Sequence, residues 1–218
     1  MVRQRPDGMA GSRNHPRFAL YDDGLVIFTR RASGHHLDRQ AQLTAAEAQA
    51  LAGRLATKAF AKLPHRIAER GPFDYESVEI VMRYSDRWKR VIAPRGPNLP
   101  RAFSTTLDQL EAFDHTPSEP WRPERILAMF SAASRDAPQV AWPADLPSPR
   151  VGINVTKGFG SLALDARHEP TVIGLIGTGK NVLVDSRAYR LSYTRELPEL
   201  PVINAVRRAF IRWEADRD

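Results

Sequence analysis

"NVLVDSRAYRLSY", Asn181 to Tyr193, decides how this chain is read, because it follows directly on "GLIGTGK", Gly174 to Lys180. The junction reproduces most of G-x-x-x-x-G-K-[ST], the loop whose amides wrap a phosphate. That chemistry needs strand, loop and helix in this order, with the helix N-terminus aimed at the anion. Here the residues after Lys180 are strand formers: Val182, Leu183 and Val184, then alternating Tyr189, Leu191 and Tyr193. Asn181 also stands where a Ser or Thr hydroxyl would reach magnesium. Upstream, "EPTVIGLIGTG" fits a short helix with Pro170 in its first turn and Gly177 or Gly179 at its C-terminal cap. A strand containing β-branched Val172 and Ile173 fits equally. Neither gives strand–loop–helix, so the motif is read as a plain turn, and no nucleotide or other cofactor is expected.

Working outward, Asp185-Ser186 becomes the turn of a hairpin, and similar signals recur. In "RFALYDDGLVIFTR" the run Asp22-Asp23-Gly24 separates two apolar segments, because Gly accepts positive φ and Asp bonds the turn backbone. "YESVEIVMRY" alternates Val78, Ile80, Met82 and Tyr84 on one face with Glu79 and Arg83 on an exposed one. Ser85-Asp86 is the expected turn and "RWKRVIA" the return strand. "QLTAAEAQALAGRLATKAF" reads as a helix in which Thr44 and Glu47 form a capping box and Ala48, Leu51, Leu55 and Ala59 form an apolar stripe. "STTLDQLEAFDHT" reads as a short helix capped by Ser104 or Thr105. "RILAMFSAA" is open between strand and helix, "VGINVTKGF" reads as a strand, and "PVINAVRRAFIRWEADRD" reads as a terminal helix begun by Pro201. Hairpins and helices in clusters predict an α+β fold of mainly antiparallel hairpins packed with three or four helices.

The expected organisation is a loose segment over 1–16, an N-terminal α+β half over 17–116, a Pro/Trp-rich connection over 117–149, and a C-terminal hairpin and helix over 150–218. The last part is expected to pack with the first half, and the chain as a whole is expected to form two halves of similar size.

Of the 218 residues 42% are hydrophobic and 26% charged, which is ordinary for a globular protein with a substantial core. No run of about 18 apolar residues predicts a transmembrane helix. "MVRQRPDGMAGSRNHP" lacks the apolar centre of a secretory signal, so a cytoplasmic location is expected. The absence of cysteine excludes disulfides, thiolate metal sites and cysteine nucleophiles. The net charge of +7 comes mostly from Arg and favours acidic surfaces or polyanions as partners.

His35, His36 and Asp38 fall together in "GHHLD", but neighbouring side chains diverge, so no metal site is expected. Asp22 and Asp23 serve the turn, Glu47 the cap, and Glu76 and Glu79 an exposed strand face. No G-x-S-x-G, S-x-x-K or H-E-x-x-H pattern occurs, so no catalytic residue is assigned. "RYSDRWKR" interleaves Arg83, Tyr84, Arg87, Trp88, Lys89 and Arg90, a mixture suited to stacking bases and meeting phosphates or to a hairpin tip with solvated charges whose Trp88 packs across from Met82 or Tyr84. Arg207, Arg208 and Arg212 share one face of the expected terminal helix. Trp121 and Trp142 sit among prolines, either as an aromatic recognition surface or as pins for the connection.

"FALYDDGLVIF" and "EPWRPERI…WPADLP" resemble pieces of bacterial α+β proteins that open with an L-Y-x-D-G hairpin, some of which serve as immunity partners of secreted toxins. The resemblance covers the first hairpin, the Trp/Pro connection and the last hairpin, and it carries no catalytic signature. The expectation is therefore a non-catalytic protein-binding protein, an immunity-type inhibitor that occludes a toxin or enzyme with an acidic surface. Its expected contacts are Arg83, Arg87, Trp88, Arg90, Trp121 and Trp142. The alternative is a nucleic-acid-binding or regulatory protein using Arg83, Tyr84, Arg87, Trp88, Lys89, Arg90, Arg207, Arg208 and Arg212. A hydrolase built from residues distant in sequence is third.

Overall fold

Gly24 sets the first hairpin. Its φ is +86°, its N–H donates to the Tyr21 carbonyl at 3.0 Å, and the Tyr21 N–H donates to the Leu25 carbonyl at 2.9 Å. The turn joins β2 (Pro16–Leu20) to β3 (Leu25–Ala32), with Phe18 paired to Phe28 across the ladder. The computed structural model describes residues 2–5, 16–32, 35–67, 77–84, 87–94, 96, 98–149, 153–154 and 158–198. The expected terminal helix with Arg207, Arg208 and Arg212, and the Ser85-Asp86 turn, lie outside them. The chain divides into two compact units, one built on Pro16–Trp121 and the other on Arg122–Pro198. Each combines helices with a largely antiparallel sheet, so the protein is α+β.

The first unit holds a seven-stranded sheet. Besides β2 and β3 it contains β1 (Val2–Arg5), β4 (His35–Gln42), β5 (Ser77–Tyr84), β6 (Arg87–Pro94) and β7 (Glu119–Pro120), in the order β6-β5-β1-β2-β3-β4-β7. Every neighbouring pair is antiparallel. Strand β1 corrects the expectation that residues 1–16 are loose throughout, since Val2–Arg5 pair with Ile80–Ser77 and join the two hairpins into one sheet. Ladder pairing uses backbone groups, so a polar sequence such as "VRQR" can supply it.

Helices α1 (Ala45–Leu55), α2 (Lys58–Ala61) and α3 (Arg101–Glu111) pack on this sheet. The Thr44–Glu47 capping box is formed. The bonds from the Thr44 side chain and backbone hold the Glu47 carboxyl below its usual range, with a smaller contribution from His115. The single helix expected over this stretch is interrupted at Ala56-Thr57, where the Thr57 hydroxyl accepts from the Phe60 N–H at 3.1 Å and caps α2. Helix α3 begins a turn earlier than its Ser/Thr signals predict, with Pro100 at the N-cap and Ser104 inside. That start puts fully buried Phe103 at the head of the stripe continued by Leu107 and Leu110, and burying such a ring is worth about 1.5–3 kcal/mol. Phe60 stacks on Phe103 at 6.2 Å, and Phe113 meets Phe18 and Phe28 edge-on at 5.2 and 5.1 Å.

The second unit holds β8 (Arg125–Ala132), β9 (Gln139–Ala141), β10 (Ile153–Asn154), β11 (Phe159–Asp165), β12 (Asn181–Val184) and β13 (Arg187–Arg195), in the order β10-β11-β8-β13-β12-β9. The stretch 117–149, read as a connection, thus contains β8, which pairs with both β11 and β13. Ile126, Ala128 and Phe130 are buried at alternate positions, and this period of two settles "RILAMFSAA" as a strand. Asp185 and Ser186 both have positive φ, 47° and 62°, as a two-residue hairpin loop of the primed type requires.

The phosphate-loop lookalike is resolved by element order. Glu169–Gly177 is helix α4, with Pro170 in its first turn, and β12 starts at Asn181. The Asn181 N–H donates to the Pro138 carbonyl at 2.9 Å, and Val182 pairs with Val140 in parallel register. The loop therefore lies at the helix C-terminus, where the dipole is negative and repels an anion. Arg195 binds Glu169 at 2.7 Å and ties the start of α4 to β13.

Two glycines give opposite expectations in urea denaturation. A Cβ on Gly24 would lie 2.4 Å from the Leu43 carbonyl oxygen and would carry a disfavoured positive φ, so Gly24→Ala should cost about 2 kcal/mol or more. A Cβ on Gly53, within α1, meets nothing within 4 Å, and Gly53→Ala should stabilise by up to about 1 kcal/mol.

Candidate functional site

The candidate surface is the β5–β6 hairpin, where the "RYSDRWKR" residues divide by face. In the ladder Tyr84 faces Arg87, Arg83 faces Trp88, Met82 faces Lys89 and Val81 faces Arg90. Val78, Ile80 and Met82 point into the core of the first unit as their alternation predicts.

The other face differs from expectation. Glu79, read as exposed, is 5% accessible, and Arg90 is 7% accessible. The Arg90 Nε–H donates to Glu79 Oε1 at 2.9 Å, a charge-assisted bond between positions offset by two residue pairs along the ladder and so on the same face. Arg90 is therefore withdrawn from the basic patch, because a guanidinium in a buried ion pair cannot leave it for a surface ligand without exposing a buried carboxylate. Strand periodicity puts Glu79 on the face opposite Val78, Ile80 and Met82, as found. It could not show that this face is covered as well.

Two more members of the patch are anchored inward. The Tyr84 hydroxyl donates to the Thr57 carbonyl at 3.2 Å, between α1 and α2, and burial pushes its pKa up to about 12. The Lys89 ammonium donates to the Leu63 carbonyl, and burial lowers its pKa. The extended segment beyond Leu63 runs along the outer edge of β6. There His65 Nδ1 meets the Arg90 carbonyl at 3.0 Å, the Ile92 N–H donates to the His65 carbonyl at 2.8 Å, and the Ile67 N–H donates to the Ile92 carbonyl at 2.9 Å.

Arg83, Arg87 and Trp88 stay exposed at the hairpin end, Trp88 with 38% of its surface accessible. Arg83 pairs with Asp22 of the first hairpin turn at 3.3 Å, and both side chains are well solvated. Such a pair contributes at most about 1 kcal/mol and can be exchanged for another carboxylate.

Each of the two proline-flanked tryptophans is held within its own unit. Trp121 is 5% accessible, and its backbone N–H donates to the Asp38 carbonyl at 2.9 Å. Trp142 packs on Phe130 at 5.3 Å, and its indole N–H donates to the Pro147 carbonyl at 3.1 Å. Pinning of the chain accounts for both. His35 and His36 are consecutive residues of β4, and Asp38 accepts from the Thr29 hydroxyl at 3.1 Å. Among the described residues no group of three His, Asp or Glu is placed to hold a metal, and no helix is long and apolar enough to cross a membrane.

Comparisons with protein-family models, with curated proteins and with solved structures found no match to this chain.

Removing one partner of the Glu79–Arg90 pair should be far more damaging than removing both. Glu79→Ala or Arg90→Ala is expected to cost about 3 kcal/mol or more, and the double change Glu79→Leu with Arg90→Met less than either. Denaturation midpoints of the four proteins check this.

Tyr84 gives a pH signature. Its folded pKa is raised above the usual 10, so its contribution is complete below pH 10 and is lost as the pH climbs towards 12. Tyr84→Phe should lose less stability over that range than the wild type, measured by thermal melts at matched ionic strength.

Proposed function

We propose that the protein is a non-catalytic binding protein that covers an acidic surface of a protein partner, in the manner of an immunity-type inhibitor of a toxin or enzyme. The observation that supports this reading is Trp88, exposed across the ladder from Arg83 and next in sequence to exposed Arg87, on a hairpin held by the Glu79–Arg90 pair, the Tyr84 anchor and the segment along β6. An aromatic anchor on a rigid support binds with little ordering cost, and flanking arginines speed encounter with carboxylates. The overall charge of +7 acts in the same direction.

The same observations favour protein over nucleic acid. Of the six hairpin residues suited to nucleic acid, Arg90 is buried in an ion pair and Lys89 and Tyr84 are bonded inward. The exposed remainder is a compact spot rather than a track of cations along a phosphate backbone.

The test is recovery of a partner from the source cells with the tagged full chain, beside a variant carrying Arg83→Glu, Arg87→Glu and Trp88→Ala. An acidic protein retained by the wild type, released at high salt and lost by the equally stable variant is the expected result. Equal recovery by both proteins would overturn the proposal. Retention of single- or double-stranded nucleic acid in low-salt filter binding, lost in the same variant, would replace it with the nucleic-acid reading.

A further inference from the structure

Beside the hairpin, the first unit has a concave feature of a different chemistry. A cleft of about 530 Å³ lies between α1 and the residues at and after the end of α3. This volume is within the range of small-molecule sites, about 300–1,000 Å³. Glu47, Leu51 and Arg54 reach it from one face of α1, as their spacing of four and three dictates, and Leu43 joins them from just before the helix cap. Gln109 and the stretch Ala112 to His115 close the other side.

The apolar part is formed by Leu43, Leu51 and Phe113. The two leucines are buried, and the Phe113 ring is fixed edge-on against Phe18 and Phe28. Two carboxylates stand at the rim, and both already accept hydrogen bonds from within the protein. Glu47 accepts from the Thr44 N–H at 2.8 Å and from the Thr44 hydroxyl at 2.7 Å, closing the helix cap. Asp114 pairs with Arg30 at 3.3 Å and accepts from the His115 N–H at 3.0 Å. Arg54 is different: its side chain makes no hydrogen bond or ion pair among the described residues. Of the charged side chains at the cleft, the Arg54 guanidinium is thus the one whose hydrogen-bonding groups have no partner among the described residues, and its planar fork matches a carboxylate.

We propose that this cleft binds a small organic acid, with the carboxylate on Arg54 and an apolar body against Leu43, Leu51 and Phe113. This site is independent of the hairpin surface and would stand if the partner proposal failed.

The probes are 4-phenylbutyrate, its amide and 4-phenylbutylamine, titrated into the full chain and followed by amide NMR shifts and calorimetry. The acid is expected to bind with a Kd of about 1 mM, as suits a dozen heavy atoms in an open cleft, and to shift the amides of Leu51, Ala112 and Phe113. Arg54→Gln should weaken the acid about fivefold while leaving the amide's weaker binding unchanged, and Arg54→Lys should retain part of the preference. Ala50→Trp, at an exposed position lining the cleft, should abolish binding of both without lowering the melting temperature. The proposal is overturned if the amine binds as well as the acid, if Arg54→Gln leaves the acid's affinity unchanged, or if saturating acid shifts none of the cleft amides.

Discussion

A carboxylate and a guanidinium 2.9 Å apart, both removed from water, fix what the first unit can present to its surroundings. Desolvating two charges is costly, and the cost is offset only where the geometry is held. Here Glu79 and Arg90 occupy adjoining strands of one hairpin, so the ladder register brings them together without a long loop. The pair in turn resists slippage, because a shift of either strand by one residue would put the two charges on opposite faces. That register decides which side chains reach the open end, and so leaves Arg83, Arg87 and Trp88 outside while Arg90 is enclosed.

Much of the fold was legible in local chemistry. Asp-Gly at 23–24, Asp-Ser at 185–186, Thr44 with Glu47, and Pro170 each encode a turn or a cap through the residues' own dihedral preferences and hydrogen bonds, and each is found there. What could not be read depends on distant segments. Val2–Arg5 becomes a strand because β5 and β2 both pair with it, and "VRQR" carries no periodicity of its own. Helix α3 starts at Arg101 because burial of Phe103 outweighs a side-chain cap at Ser104. Glu79 looks like a solvated residue to any two-residue alternation, since the pattern reports a face and not its covering. The binding surface was legible as a basic-aromatic cluster, but only coordinates separate its exposed half from its anchored half. The cleft was invisible in the sequence, because its two walls are separated by more than fifty residues of chain.

The GLIGTGK segment shows how a phosphate-loop spelling can arise with its electrostatics reversed. The loop follows a helix instead of preceding one, so the nearest dipole end is negative. Its backbone donors turn to the Ile176 carbonyl, the Thr178 hydroxyl and the Pro138 carbonyl from Gly179, Lys180 and Asn181 in turn. A glycine at 179 is still required, because φ there is +67°. The glycine that suggests a nucleotide site is thus accounted for by the exit from a helix.

The segment lying against the outer border of β6 carries a consequence for the protein in a crowded solution. Sheet borders offer rows of unsatisfied amides and carbonyls to any passing extended chain, which is how fibrils recruit new molecules. At Ile92 both groups are occupied by His65 and Ile67, and the Arg90 carbonyl by the His65 ring. The chain has sealed that stretch of its own margin, and in doing so denies a foothold to self-templated growth.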